Sequence, residues 1–266
     1  MVLAGQVQVS RMGSVVDVTT GTEVPDGAVL LPNHRYLVAE DAAAWFLVTS
    51  KTAVVDYQGP YAFQLSDQVD YNAMAAGLKQ LHLFRGSFTG YGEGFDLEKA
   101  PTRLQAIIMF IRVLGEEEAA LAWTGTTPFQ DIEKGSQAEK YVGYAYEKGY
   151  TNGYSATAFK PGGAVNAYQY TEFVLRAMGH SSAANTDLSD TLERAQLAGV
   201  LTPGETAMLY RDPFLRAELV YISWYALDAS MADTGLTLAE TLEAKGVFTG
   251  RELQEARALV PGSRLQ

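Results

Sequence analysis

Three stretches of this chain carry nearly the same pattern. In each, a short helical run ending near a glycine precedes a second helical run that closes at or near Leu-Gly or Met-Gly. The clearest copy spans residues 129–179, and weaker copies span about 71–115 and 187–230. A supersecondary unit repeated about every 50 residues buries its apolar face mainly against its neighbours. The repeats therefore predict a binding module of stacked units rather than a catalytic fold.

Composition restricts the partners and the chemistry open to the chain. Its 266 residues are 47% hydrophobic and 19% charged, as in a folded protein with a sizeable core. The net charge of −11 disfavours a nucleic acid as partner, because phosphate backbones attract basic surfaces. The absence of cysteine excludes disulfides, thiol nucleophiles and thiolate metal sites. No apolar run approaches the roughly 18 residues of a membrane span, so no span is predicted.

The hydrophobic pattern changes period near residue 70. Before it, apolar runs of strand length alternate with Gly, Pro and Asn turns, which predicts a small β-sandwich or β-roll in residues 1–70. The predicted strands are 6–10, 15–18, 28–31, 35–38, 44–48 and 52–57. From residue 71 to 230 the spacing is helical, and residues 231–266 add helical runs at 236–245 and 251–259 that we expect to pack on the bundle. The predicted class is α+β.

The second helix of each copy begins in a similar way. Thr102-Arg103-Leu104-Gln105 aligns with residues 166–169 and 215–218. Thr102 and Asn166 are good N-caps, and the Gln three residues later can bond back to the N–H of the cap residue. Leu215 cannot cap, which makes Asp212 the candidate cap of the third copy.

Arg103 and Arg216 each occupy the first helical position. The helix dipole disfavours a cation there, so helix stability does not explain them. One interpretation is an anion-binding site in which the guanidinium acts together with free N–H groups of the helix. The other is a surface arginine paired with an acid such as Glu98 or Asp212.

These motifs resemble S-layer homology repeats. The resemblance rests on the Phe129-x-Asp131-Ile132 start, the glycine turn, the Phe159-x-Pro161 segment and the Arg-containing helix start. It covers roughly residues 71–230 and implies a surface protein of a Gram-positive bacterium. It also implies a pseudo-threefold all-α bundle whose grooves bind anionic, often pyruvylated, secondary cell-wall polysaccharide.

The resemblance assigns ligand-binding roles by position. Two arginines match the residue that meets the anionic sugar, two aspartates match the first turn of a repeat, and a glycine matches the turn after its first helix. Two tyrosines on that turn are candidates for stacking on sugar rings. The second copy has Ala167 in place of the arginine. The candidate ligand-binding residues are Arg103, Arg216, Thr102, Gln105, Glu218, Asp131, Asp187, Tyr150, Gly153 and Tyr154.

The predicted function is non-catalytic binding of a cell-wall polysaccharide in grooves between repeats, with charge from arginine, N–H donors from helix ends and stacking from tyrosine. A first alternative keeps the repeats as a scaffold that binds another surface protein. A second is an enzyme with a cleft between the β-region and the bundle. It lacks a visible nucleophile, base or metal cluster, since the acidic run 116–118 reads as solvated and the loop 90–94 lacks the residues of a phosphate loop. We predict no cofactor and no metal.

The resemblance also implies an extracellular location at the cell wall. Residues 1–5 lack the basic and apolar segments of a signal peptide. The sequence is therefore that of a cytosolic protein or of a mature form without its signal, and the resemblance favours the latter.

Overall fold

The computed structural model describes residues 7–31, 34–48, 54–58, 61–64, 70–86, 95–97, 99–182, 184, 186–211, 214–260 and 264–265. Within these residues a β-region is followed by helices, in agreement with the predicted α+β class. Glu98, Asp212 and the glycine-rich loop 90–94, which the sequence analysis considered, lie outside the described residues.

The β-region contains the strands β1 (Val7–Met12), β2 (Val15–Asp17), β3 (Thr22–Glu23), β4 (Arg35–Val38), β5 (Ala43–Val48), β6 (Val54–Gln58) and β7 (Tyr61–Gln64). They form two antiparallel sheets, with strand orders β1-β5-β6 and β3-β2-β4-β7. Side chains alternate as expected for half-buried strands, since Tyr36 and Val38 are buried and Leu37 between them is exposed. The packing of the two sheets as a sandwich stays a prediction.

One predicted strand is wrong. Within residues 28–31, Val29 forms only an isolated bridge with Gln8, because the backbone around Gly27 turns to bond with Val9. The short strands β3 and β7 are missing from the prediction. Predicted strand residues 6, 52 and 53 lie outside the described part of the chain.

The described residues from 70 onward form helices. They are α1 (Tyr71–Gln80), α2 (Arg103–Val113), α3 (Glu117–Ala122), α4 (Gln137–Glu147), α5 (Ala167–Ala177), α6 (Thr191–Leu197), α7 (Pro203–Arg211), α8 (Arg216–Ala226), α9 (Leu238–Ala244) and α10 (Gly250–Leu259). The second helices of the three copies, α2, α5 and α8, all pack against one another. Phe110 of α2 contacts the rings of Tyr150, Tyr170 and Phe173 at centroid distances of 5.7, 6.1 and 5.9 Å.

The first helix of each copy lies outside these three. Helix α1 packs on α8, α4 packs on α2, and α6 packs on α5. The third copy also contains α7, a helix that the sequence analysis did not predict. Helix α10 packs on α1, so the tail contacts the first copy.

The acidic run 116–118 is only partly solvated: Glu118 is exposed, whereas Glu116 and Glu117 are half-buried, so the interpretation is wrong for those two. It begins helix α3, where the Glu117 carboxylate accepts hydrogen bonds from the Tyr141 hydroxyl at 2.6 Å and Arg112 Nε at 2.8 Å. Burial raises the pKa of Glu117, but these hydrogen bonds and the nearby guanidiniums lower it below its ordinary value. The run therefore ties α3 to α2 and α4.

Candidate functional site

The loop between α4 and α5 is held by Asp131. Its Oδ1 accepts the N–H of Phe159 at 2.8 Å and its Oδ2 accepts the N–H of Lys160 at 2.7 Å. Burial raises the pKa of Asp131, but these N–H groups lower it below its ordinary value. The ring of Phe159 packs 5.8 Å from that of Phe129. Two separate motifs, Phe-x-Asp and Phe-x-Pro, are thereby fixed to each other.

Arg103 of the first copy inserts into this loop of the second copy. Its Nε donates to the Phe159 carbonyl at 2.8 Å, and its guanidinium lies 5.0 Å from the centroid of the Phe159 ring. Its backbone N–H donates to the Gly163 carbonyl at 2.8 Å, and Leu104 N–H donates to the Pro161 carbonyl at 3.1 Å. An arginine at the helix start is thus accounted for by contacts with a neighbouring copy.

The predicted supply of N–H donors from the helix end is wrong for α2. The N–H groups of Arg103 and Leu104 already donate to loop carbonyls, and the N–H of Gln105 donates to Thr102 Oγ1 at 3.2 Å. The predicted capping box is confirmed, because Gln105 also accepts the N–H of Thr102 at 3.1 Å. The backbone N–H groups of Arg103, Leu104 and Gln105 are therefore not available to a ligand, and the arginine side chain is the candidate contact at this helix end.

A groove of about 360 Å³ opens beside Arg103. Its walls come from the turn after α4, from α5 and from the segment before α6. The residues lining it are Arg103, Thr151, Asn152, Gly153, Tyr154, Ser155, Ala156, Gln169, Glu172, Phe173, Arg176, Thr186 and Leu188. Gly153 is required here because its φ is +80° and a Cβ would lie 2.3 Å from the Phe129 ring. Lys160 Nζ lies 3.4 Å from the centroid of the Tyr154 ring, which is 59% exposed.

The groove contains a buried arginine that has no ion pair among the described residues. The other charges near it are matched, because the Glu172 carboxylate binds Arg176 Nε at 3.0 Å and Arg194 Nη2 at 2.9 Å, and Arg194 also pairs with Asp190 at 2.9 Å. Arg103 is 4% exposed, and within the described part of the chain no carboxylate lies within ion-pair distance of it. Burial lowers the pKa of Arg103, although the nearby Asp131 charge opposes that shift. A buried cation without an ion pair favours an anionic ligand.

Arg216, at the start of α8, has different surroundings. Its N–H donates to the Lys99 carbonyl at 2.9 Å, which is the same kind of contact that Arg103 makes. Its Nη1, however, lies 3.4 Å from the Asp96 carboxylate and 3.4 Å from the Phe95 carbonyl. The first copy therefore supplies Arg216 with an anion from within the chain, as the ion-pair interpretation proposed with a different acid.

Among the described residues, three of the ten candidates line the groove: Arg103, Gly153 and Tyr154. Thr102 and Gln105 serve the capping box, and Glu218 accepts the N–H of Leu215 at 2.8 Å. Asp187 accepts the N–H of Ser189, although its neighbours line the groove. The Tyr150 hydroxyl donates to Glu116 at 2.9 Å and its ring packs on Phe110, away from the groove.

Sequence reasoning missed the wall that α5 contributes. Gln169, Glu172, Phe173 and Arg176 follow the spacing i, i+3, i+4 and i+7, so they share one helix face. The charged residues Glu172 and Arg176 on that face of α5 could have indicated this wall from the sequence. A buried Glu–Arg pair is unusual in a core and marks a site or a packing contact.

No group of three or more His, Asp or Glu side chains in the described part of the chain is placed to hold a metal ion. None of the helices formed by the described residues is long and apolar enough to cross a membrane.

The comparison with protein families agrees with this geometry. Residues 128–166 match the family model described as the S-layer homology domain. The match begins one residue before the second predicted copy and ends at Asn166, the N-cap of α5. It includes Asp131 and the two loop N–H groups that its carboxylate binds, which we call the Asp131 clamp. A search of curated proteins found no significant match to the chain.

Proposed function

We propose that this chain, which is an S-layer homology domain protein by its residues 128–166, attaches to the cell surface by binding an anionic cell-wall polysaccharide in the Arg103 groove. S-layer homology domains are cell-wall attachment modules and not catalysts. Attachment is therefore the role that the domain indicates, and the groove is the proposed point of contact. In this proposal the protein binds without catalysis and acts outside the cell.

The observation that carries the proposal is the burial of the Arg103 guanidinium without an ion pair among the described residues. The guanidinium also stacks on Phe159. Guanidinium binds carboxylates and phosphates more strongly than neutral acceptors, and burial strengthens that preference. The carboxylate of a pyruvate ketal on a wall sugar is the proposed partner, with Tyr154 and Lys160 at the rim contacting the sugar.

The helix contacts support a pseudo-threefold arrangement of the three copies. Arg103 of the first copy contacts the loop of the second, and Arg216 of the third contacts the loop of the first. In this proposal the relation is cyclic, so each groove lies between two copies. The Arg103 groove is then the binding site, and the Arg216 contact serves assembly of the bundle.

Sedimentation with purified cell walls of the native host tests the proposal. Arg103→Ala is expected to weaken binding by at least about tenfold, the loss of one charge-assisted contact. Arg216→Ala is the matched control, because it removes the same residue type from the same helix position and is expected to leave binding unchanged. Circular dichroism checks that each variant is folded. Equal sedimentation of wild type and a folded Arg103→Ala variant would contradict the proposal.

A second candidate function is favoured by the exposed apolar side chains of the β-region. Met12, Val18, Val29, Leu31 and Leu37 are each more than 40% exposed there, and this candidate proposes that they form a surface that contacts another protein. This candidate predicts binding to the cell surface that survives chemical removal of the wall polysaccharide and is lost in Leu37→Asp. The polysaccharide proposal predicts the reverse result.

A further inference from the structure

The third copy contains a pocket built around a buried carboxylate. Glu205 of α7 is 0% exposed, and its side chain accepts two hydrogen bonds from Arg264, at 2.7 Å from Nε and 2.9 Å from Nη2. The Tyr221 hydroxyl of α8 also donates to it at 3.0 Å. A bidentate Arg–carboxylate pair of this kind is specific for a planar guanidinium, and lysine cannot reproduce it.

The pocket also contacts the backbone of residues 264–265. The Val200 carbonyl accepts from Arg264 Nη2 at 2.6 Å, and Thr202 Oγ1 donates to the Leu265 carbonyl at 2.6 Å. Leu265 N–H donates to the Tyr221 hydroxyl at 3.1 Å. The guanidinium lies 5.0 Å from the centroid of the Tyr225 ring, and the Leu265 side chain packs against the core. Side chain and main chain are both recognised, as in a peptide-binding site.

The walls of the pocket are held independently of its occupant. Glu205 and Thr202 form a reciprocal cap at the start of α7, with N–H to oxygen distances of 2.8 and 3.2 Å. The Tyr221 ring packs against Tyr71 of α1 and against Tyr225. The pocket should therefore keep its shape when Arg264 is removed, and would then contain a buried carboxylate lacking its guanidinium.

We propose that Val200, Thr202, Glu205, Tyr221 and Tyr225 form a recognition site for an arginine-leucine peptide segment. Its resident ligand is the Arg264–Leu265 pair, which fastens the chain after α10 to the third copy. When Arg264 is replaced, the same segment supplied from outside displaces the weakened Leu265 contact and fills the site. This site is separate from the Arg103 groove, and its existence does not depend on polysaccharide binding.

Thermal unfolding of Arg264→Ala with and without added acetyl-Arg-Leu-amide tests the site. The variant is expected to lose roughly 5 °C or more in Tm, because Glu205 stays buried without its cation. Arg257→Ala is the matched control: Arg257 belongs to the same tail but forms an exposed pair with Asp228, so its Tm should change little. The peptide at millimolar concentration is expected to raise the Tm of Arg264→Ala and to leave wild type unchanged.

Two comparisons separate recognition from a general stabilising effect. Acetyl-Lys-Leu-amide should rescue Arg264→Ala much less, and acetyl-Arg-Leu-amide should fail to rescue the double variant Glu205→Gln/Arg264→Ala. If Arg264→Ala is unfolded at 25 °C, the same titrations are followed by the return of helical circular dichroism. Absence of rescue, or equal rescue by both peptides, would overturn the proposal.

Discussion

Two arginines of this protein occupy the same helix position in two copies and have different electrostatic surroundings. Arg103 and Arg216 each begin a central helix, and each donates its N–H to a carbonyl in the loop of another copy. Each of these two loops contains a phenylalanine, Phe159 beside Arg103 and Phe95 beside Arg216, which we call the loop phenylalanine. The next residue is Lys160 in the first loop and Asp96 in the second. Both of these residues adopt positive φ, 58° and 52°, so the two loops share a left-handed residue at this position and differ in its charge.

We propose that this difference in charge separates a ligand-binding arginine from a structural one. The Asp96 carboxylate lies 3.4 Å from Arg216 and 3.2 Å from Lys99 Nζ, so Arg216 is neutralised by its own chain. Beside Arg103, both carboxylate oxygens of Asp131 accept N–H groups of the loop. Lys160 adds a second cation near the groove, over the Tyr154 ring. We infer that the loop residue, and not the arginine alone, determines whether such an interface can take an external anion.

Lys160→Asp should have the largest effect on binding. Aspartate tolerates positive φ, as Asp96 shows, and would place at the Arg103 loop the carboxylate that Asp96 places at the Arg216 loop. Wall binding is expected to fall about 100-fold, because one cation is lost and the other gains an internal partner. Lys134→Asp is the matched control, since it makes the same charge change at an exposed position of the same domain. Equal losses in the two variants would show that only net charge matters.

Asp131→Asn should lower the free energy of unfolding, because Asp131 holds the loop that Arg103 enters. The folded-state pKa of Asp131 is below its ordinary value of 3.8, so its stabilising effect is complete above that pH and is lost as the pH falls through the folded pKa. We expect the variant to lose only about 1 kcal/mol at neutral pH, because Asp131 is exposed to solvent and asparagine keeps one of the two acceptor oxygens. Its free energy of unfolding should also fall less than that of wild type between about pH 4 and pH 2. Urea unfolding across that range provides the measurement, and parallel pH curves would contradict the role of the clamp.

The sequence could predict what is local in this fold. The capping boxes of α2 and α5 follow from Thr102, Asn166 and the glutamine three residues after each. Helix α7 could also have been predicted from the start of its sequence. Thr202 is a capping residue, Pro203 suits the first helical position, and Glu205 is the acid three residues after the cap. The glycine that follows the proline makes the segment read as a turn.

Contacts between copies explain what the sequence could not predict. The N–H groups of Arg103 and Leu104 are used by carbonyls about 60 residues away, so no local pattern reveals that they are unavailable. The missing arginine at Ala167 has a similar explanation. In the first and second copies the loop phenylalanine lies seven residues before the N-cap of the second helix. The same position in the third copy is Met208, which belongs to α7. An arginine at 167 would have no such loop to enter.

Asp96→Asn should sharpen the structural side of the comparison. It removes a carboxylate from Arg216, whose side chain is 12% exposed, and the free energy of unfolding is expected to fall by about 1 kcal/mol. Wall binding should stay at the wild-type level, because the Arg103 groove is unchanged. Denaturant unfolding and wall sedimentation of the same preparation give both values. A loss of binding as large as that of Lys160→Asp would remove the distinction between the two interfaces.

Tyr154→Ala should have the smallest effect, and it tests the groove without disturbing the core. The ring is 59% exposed and contacts Lys160, so its removal should leave the Tm within about 2 °C of wild type. Loss of an aromatic surface for a sugar ring is expected to weaken wall binding about threefold. Tyr146→Ala is the matched control, since Tyr146 is 43% exposed in the same domain and does not line the groove. Because the Tyr146 ring also packs on Phe129, this control is expected to lower the Tm more than Tyr154→Ala does and to change wall binding less. The opposite ranking would move the ligand from the Arg103 groove to the outer face of α4.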